Sequence, residues 1–259
     1  MLKIRLIPSI LKRGPTAVKG ENFSKSRIVG PILPMIRVFQ TRDVDELIII
    51  DVNNIDSVNQ KQRFNWFKQV SSFSTMPLSI GGGIRTFDQA TNLIKDGADK
   101  VILNTAIRNN IVLAKEIIDN HGSQSLIASI DVKNVDNNYF VFDSINNKLT
   151  NITLERILED IQNIGFGEIY LTSVDKEGSR SGYDLNLYKY ARKYISIPLI
   201  ANGGAGKLNH FTELANENIV EAFAAGACFH FSSITPREIT ENLRQNNFNV
   251  RKFFDSNLN

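Results

Sequence analysis

The chain has 259 residues, 42% of them hydrophobic, and sets 30 basic side chains against 27 acidic ones for a formal net charge of +3. That hydrophobic share supports a large core and argues against disorder, and the near-balance of charge argues against a dedicated nucleic-acid binder, which would show a clustered basic excess. A single cysteine, Cys228, excludes an intrachain disulfide and a cysteine zinc site, and His121, His210 and His230 lie too far apart in sequence to read as a ligand set, so neither metal nor cofactor is expected.

At the amino terminus an apolar run is interrupted by Arg5 and Pro8 and is followed by no small-residue cleavage site, so it reads as a first strand, Ile4–Ile10, and not as a signal peptide. Further strand candidates are Leu47–Asp51, Leu78–Gly81, Lys100–Asn104, Leu126–Asp131, Glu168–Thr172, Pro198–Ala201 and Glu221–Ala224. Between them lie stretches with helical periodicity, among them Phe87–Asp96, Ile111–Asn120, Leu154–Ile164 and Leu208–Asn216. Eight strand–helix units predict an α/β protein with a parallel sheet closed into a (β/α)8 barrel; an open doubly wound sheet is the alternative. No run comes near the roughly 18 apolar residues of a membrane span, and a cytoplasmic location is expected. No linker divides the chain, so residues 1–259 read as a single barrel domain. A β-hairpin insertion is expected near residues 134–144, over Asn134–Asp143 with its turn at Asp136-Asn137-Asn138, decorating the catalytic face.

The halves echo each other. Met76-Pro77-Leu78-Ser79-Ile80-Gly81-Gly82-Gly83 parallels Ile197-Pro198-Leu199-Ile200-Ala201-Asn202-Gly203-Gly204, and Glu46-Leu47-Ile48-Ile49 parallels Glu168-Ile169-Tyr170-Leu171. Such half-barrel pseudo-symmetry predicts two equivalent anion sites on one face. Gly82, Gly83, Gly203 and Gly204 each follow a strand and precede a helix, where backbone N–H groups can approach a phosphate; a plain tight turn is the other explanation. Asn104, Thr105 and Gly226 follow the next strands and complete the two sites, which suit a phosphorylated or sugar-nucleotide ligand. Asp51, Asp131 and Asp175 close or follow strands at the end where a barrel places catalytic groups, although an N-cap or a solvated loop also suits an aspartate. Arg5, Glu46, Lys100 and Glu168 fall at or near strand starts, where they can either form a ring across the barrel floor or remain solvated.

With these residues in place, the chain resembles the cyclase subunit of imidazole glycerol phosphate synthase over nearly its whole length. The resemblance rests on Val18-Lys19-Gly20, Asp45-Glu46-Leu47, Gly81-Gly82-Gly83-Ile84-Arg85, Gly97-Ala98-Asp99-Lys100-Val101 and Asn104-Thr105. It continues through Ala128-Ser129-Ile130-Asp131, Leu171-Thr172-Ser173, Gly182-Tyr183-Asp184-Leu185 and Gly203-Gly204-Ala205-Gly206-Lys207. It implies a barrel that closes a ribulose-derived aminoimidazole precursor with ammonia delivered through its interior by a bound glutaminase of class I. It places the family's charged gate on Arg5, Glu46, Lys100 and Glu168, and a glutaminase contact on Asp99. Of the family's two acid–base aspartates, the one on strand five is kept as Asp131, while Leu11 stands where the strand-one aspartate is expected. Glu177 replaces a loop aspartate after strand six, and Lys19 keeps its place in the first loop.

A kept gate beside a changed acid–base pair resembles the glycosyl-amidation branch, which forms acetamidino groups on sugars of surface polysaccharides and in which a separate amidotransferase-like enzyme is implicated. The alternatives are a genuine histidine-pathway cyclase, a non-catalytic adaptor that activates a glutaminase, and a phosphosugar isomerase of the sister barrel family. No nucleic-acid or membrane partner is expected.

Overall fold

The computed structural model describes residues 3–23, 26–42, 44–53 and 60–252, the side chains of residues 60–64 excepted; the first two and last seven residues of the expected domain lie outside these. The strands are β1 (Arg5–Arg13), β2 (Thr16–Lys19), β3 (Arg27–Pro31), β4 (Leu47–Asp51), β5 (Leu78–Gly81), β6 (Lys100–Leu103), β7 (Leu126–Val135), β8 (Asn138–Asp143), β9 (Lys148–Thr153), β10 (Glu168–Ser173), β11 (Leu199–Asn202) and β12 (Ala222–Ala225). The helices are α1 (Ile32–Gln40), α2 (Gln60–Phe73), α3 (Phe87–Lys95), α4 (Thr105–Asn109), α5 (Ile111–His121), α6 (Leu154–Ile164), α7 (Leu185–Arg192), α8 (Leu208–Asn216), α9 (Ala227–Phe231) and α10 (Pro236–Gln245).

Eight parallel strands run in the order β10-β11-β12-β1-β4-β5-β6-β7, and β7 pairs back onto β10 with Glu168 opposite Ile127, so the sheet is closed. The fold is the (β/α)8 barrel, and the open-sheet alternative is excluded. Side chains alternate along each strand between lumen and helix layer. Inward positions build a small core of Ile7, Ile48, Ile102, Ile127, Tyr170, Ile200, Ala222 and Ala224. Outward positions such as Leu6, Ile10, Leu47, Ile49, Leu103 and Leu171 meet the helices in the larger core. In α6 the residues Leu154, Ile157, Leu158 and Ile161 fall on one buried stripe, and Gly165 ends the helix in the left-handed region at φ 94°. Among the described residues, no helix is long and apolar enough to cross a membrane.

Strand starts are satisfied by acidic side chains. Asp45 accepts from the Leu6 N–H, Asp99 from that of Leu78 and Glu221 from that of Leu199, each at 2.8 Å. In β5 and β11 the carboxylate thus binds the first backbone donor of the preceding barrel strand, and in β1 the second, since the Arg5 N–H donates to the Glu221 carbonyl. The carboxyl-terminal segment closes the same end, where Ile4 bridges to Val250 and Arg251 donates to the Val44 carbonyl.

The first strand extends beyond its expected end at Ile10 to Arg13, because Leu11 and Lys12 still pair with β4 on one edge while β2 pairs antiparallel on the other, Leu11 opposite Val18. The expected hairpin forms between β7 and β8, with Asp136 and Asn137 at φ 49° and 62° as a two-residue reversal requires. The sequence pattern did not reveal its continuation into a third strand, β9, whose polar residues carry no clean alternation.

Candidate active site and charged floor

At the strand starts the four predicted charges meet. Arg5 donates to Glu46 at 2.9 Å and to Glu168 at 3.0 Å; Lys100 donates to Glu46 at 3.0 Å and to Glu168 at 3.2 Å. The Ser79 hydroxyl adds a bond to Glu46 at 2.7 Å. Each cation therefore sees both carboxylates, a closed cycle in which partial burial leaves no charge unpaired. The guanidinium of Arg5 is held above its ordinary range: burial works against the charged form, and the two carboxylates override it. The expectation that these residues are solvated is excluded. Asp99, expected at a partner contact, is exposed on this same end while its carboxylate secures Leu78.

At the opposite end β7 presents Asp131, which is buried and accepts from the Asn104 amide at 3.0 Å. Burial, more than any neighbour, lifts its carboxyl from 3.8 to about 6; Ser144 and Asn104 oppose the rise by hydrogen bonding and Glu177 adds to it. Such a group changes protonation near neutrality, as a general acid or base must. Lys19, the last residue of β2, is buried and forms a tight ion pair with Glu177 from the loop after β10. The Asn202 amide reaches Thr172 at 3.1 Å and Glu177 at 3.5 Å, while its own carbonyl oxygen is buried without a partner. Leu11 lies on the inward side of β1 by alternation from Ile7, half-buried, so the strand end that faces this pocket carries an apolar group.

The predicted glycines sit on this rim. A Cβ on Gly82 would lie 2.1 Å from the Asp51 carbonyl oxygen, and one on Gly204 would lie 2.0 Å from that of Gly182; both have φ near 100° (96° and 98°). Close backbone packing therefore already requires glycine at these two places. Gly83 and Gly203 also have positive φ. The pseudo-symmetry is visible in the neighbouring turns: Asn104 caps the five-residue α4, which Thr105 begins, and Gly226 caps the five-residue α9, with φ −124° and −127°.

Two aspartates read as catalytic candidates are placed otherwise. Asp51 ends β4 on the outward side, because Ile48 and Ile50 take the inward positions, and pairs with Lys12 at 3.0 Å beneath Trp66. Asp175 accepts from the Asn134 N–H at 2.8 Å and holds the hairpin to the loop after β10. Among the described residues, no group of three His, Cys, Asp or Glu side chains is arranged to hold a metal.

Motif and spacing did not single out Asn202, Tyr170 or Arg108. The first two were legible in principle, since Asn202 ends a strand and Tyr170 follows Glu168 by two positions. Arg108 lies on α4 beside Asp143 at 3.7 Å with its Nη2 buried and unpartnered, which only packing reveals.

The family model for histidine biosynthesis proteins matches residues 5–235. Similar proteins include an imidazole glycerol phosphate synthase subunit HisF of a Thermotoga species, 36% identical over 251 residues that cover 97% of this chain and 98% of the relative. A putative imidazole glycerol phosphate synthase subunit hisF2 of Campylobacter jejuni is 37% identical over 251 residues, 97% of this chain and 99% of the relative. The HisF subunit of Saccharolobus solfataricus is 33% identical over 247 residues, 95% and 98% of the two chains. With a closed barrel, a charged floor, a buried strand-end carboxyl and end-to-end similarity of this extent, the chain belongs to the histidine biosynthesis protein family.

Proposed function

We propose that this protein is the ammonia-using barrel subunit of a glutamine amidotransferase complex of imidazole glycerol phosphate synthase type, serving acetamidino modification of a surface-polysaccharide sugar. The observation that carries the reading is the contrast between an intact four-charge cycle at the floor and Leu11 on the pocket side of β1. A glutaminase docks over the floor with Asp99 at the contact, and ammonia enters when the cycle of Arg5, Glu46, Lys100 and Glu168 opens. At the rim Gly82, Gly83, Asn104 and Thr105 on one side, and Gly203, Gly204 and Gly226 on the other, hold the phosphates of a phosphorylated or sugar-nucleotide substrate. Asp131 moves the proton, Lys19 and Glu177 complete the catalytic set, and a separate amidotransferase-like enzyme takes part in forming the acetamidino group. Leucine cannot transfer a proton, and a missing positioned acid–base group lowers a rate by about 10²–10⁴-fold, which disfavours the histidine-pathway reaction as this chain's own.

Gene deletion followed by mass spectrometry of the surface polysaccharide is expected to show loss of the acetamidino group. In parallel, the unmodified gene is expected not to rescue a cyclase-deficient histidine auxotroph, whereas Leu11→Asp restores partial growth. Full rescue by the unmodified gene, with an unchanged polysaccharide, would return the assignment to histidine synthesis. In the assembled complex Lys100→Ala should release glutamate without matching aminated product, and added ammonium should restore the product. Equal stoichiometry in that variant would remove the floor from the reaction.

A further inference from the structure

Between the charged floor and the upper pocket, the lumen core of the described residues holds one large side chain with a polar tip. Tyr170 lies two residues beyond Glu168 and two before Thr172 on the inward face of β10. It is 2% exposed and packs in the lumen core with Ile7, Ile48, Ile102, Ile127 and Ile200. Strand β12 contributes only the methyl groups of Ala222 and Ala224 to the same core. Thr172, next on the same inward face, accepts from the Asn202 amide at 3.1 Å in the pocket above. The interior of an eight-stranded barrel is only wide enough for side chains to fill, so a ring at this level obstructs the axis.

We propose that Tyr170 is a second gate on the ammonia route, a phenol ring that closes the lumen above the charged cycle and swings toward the small residues of β12 to let ammonia pass. The inference rests on the ammonia-transit reading given above and adds a residue to it. The charged cycle can detain ions but offers water and ammonia similar partners. A ring among isoleucines adds an apolar layer, where ammonium and chains of water lose their hydration. Burial keeps the phenol protonated, so its O–H is a donor suited to the lone pair of passing ammonia. Packing among the lumen isoleucines defines the closed position, and ring rotation sets the rate of opening, as with other gating motions.

The test uses the full chain bound to its host's glutaminase, added to a lysate of gene-deletion cells with [amide-15N]glutamine and unlabelled ammonium chloride. Mass spectrometry of the amidated sugar reads the share of nitrogen that travelled inside the complex. Wild type is expected to deliver mostly 15N. Tyr170→Trp, which overfills the lumen, and Ala224→Leu, which removes the space for the swing, should each lower the 15N share by about fivefold or more. The double variant Tyr170→Leu with Ala224→Leu, which redistributes volume, should restore it. Ala224→Leu leaves Tyr170 untouched and decides the matter if the tryptophan variant does not fold. An unchanged 15N share in folded variants overturns the gate. So does equal loss of amidation with glutamine and with saturating ammonium, which would place Tyr170 in the chemistry of the pocket. A wild-type complex that forms no amidated sugar at all sinks the proposed function itself and takes the gate with it, an outcome distinct from both.

Discussion

At the strand starts of the barrel two cations share two carboxylates, one of which also accepts from a serine hydroxyl, whereas at the strand ends Asp131 is buried with the neutral donors Asn104 and Ser144 beside it. Both arrangements put charge-bearing groups inside a protein, where desolvation opposes ionisation. The floor answers with mutual pairing, so its charges are retained and its groups are held in one geometry. The rim leaves the desolvation of Asp131 only partly answered, and its carboxyl stays near its titration point. One end fixes a charge pattern, and the other leaves a carboxyl able to change protonation near neutrality.

The largest expected effect bears on the rim. Asp131→Asn should lower formation of the aminated product by about 10²–10⁴-fold, measured with saturating ammonium so that delivery from the glutaminase does not enter. Wild type should show a limb in its pH–rate profile near pH 6, the position to which burial lifts this carboxyl. A profile without that limb would reduce Asp131 to a structural role.

Next comes the floor. Glu46→Ala takes away the shared acceptor of Arg5, Lys100 and Ser79, and should destabilise the protein by about 3 kcal/mol in urea denaturation, since removing one member of a buried ionic cluster strands the others. Glu46→Gln should cost about half of that by the same reasoning, because it keeps acceptor capacity. Equal and small losses in both variants would show that the cycle is held together no better than a surface pair.

The contrast between floor and rim also fixes a sign for pH dependence. The folded-state pKa of Asp131 lies above its ordinary value, so its protonated form favours the fold. That contribution is complete below about pH 4 and is lost as pH rises through about 6, the loss reaching about 3 kcal/mol at neutral pH. Asp131→Asn should therefore raise Tm above pH 7 while leaving it nearly unchanged at pH 4. A variant less stable than wild type at pH 8 would contradict the assigned shift.

Smaller effects are expected where single carboxylates or caps act alone. Asp99→Ala should cost about 1–2 kcal/mol by orphaning the Leu78 N–H, readable in a thermal melt of the isolated chain with no partner added. Thr235 and Glu238 form a capping box at the start of α10, and Thr235→Ala should cost about 1 kcal/mol. A greater loss at Thr235 than at Glu46 would invert the ranking of cycle over cap.

Much of the architecture is legible in the order of residues along the chain. The period-2 and period-3.6 runs mark the strand and helix order, and Asp136-Asn137 marks its turn, because local backbone preference and one-sided burial act over a few residues. The resemblance supplies the four floor residues, which spacing alone leaves open between a ring and solvated ends. Asp51 shows the limit of such reading. Its place at a strand end suits a catalytic group, yet parity along β4 turns it outward to Lys12.

By itself the sequence determined the eightfold alternation, the halves that echo each other and the glycines at strand ends; the expectation of an aspartate where Leu11 stands came from the resemblance. Tertiary structure alone decided which carboxylates face the lumen, that Arg5, Glu46, Lys100 and Glu168 close into one cycle, that burial lifts the Asp131 carboxyl to about 6, and that Tyr170 packs in the lumen core. The division has a physical cause. Periodicity and turn chemistry are set by neighbours in the chain, whereas burial, charge pairing and lumen width depend on residues such as Arg5 and Glu168 that stand far apart in sequence and meet only when the sheet closes.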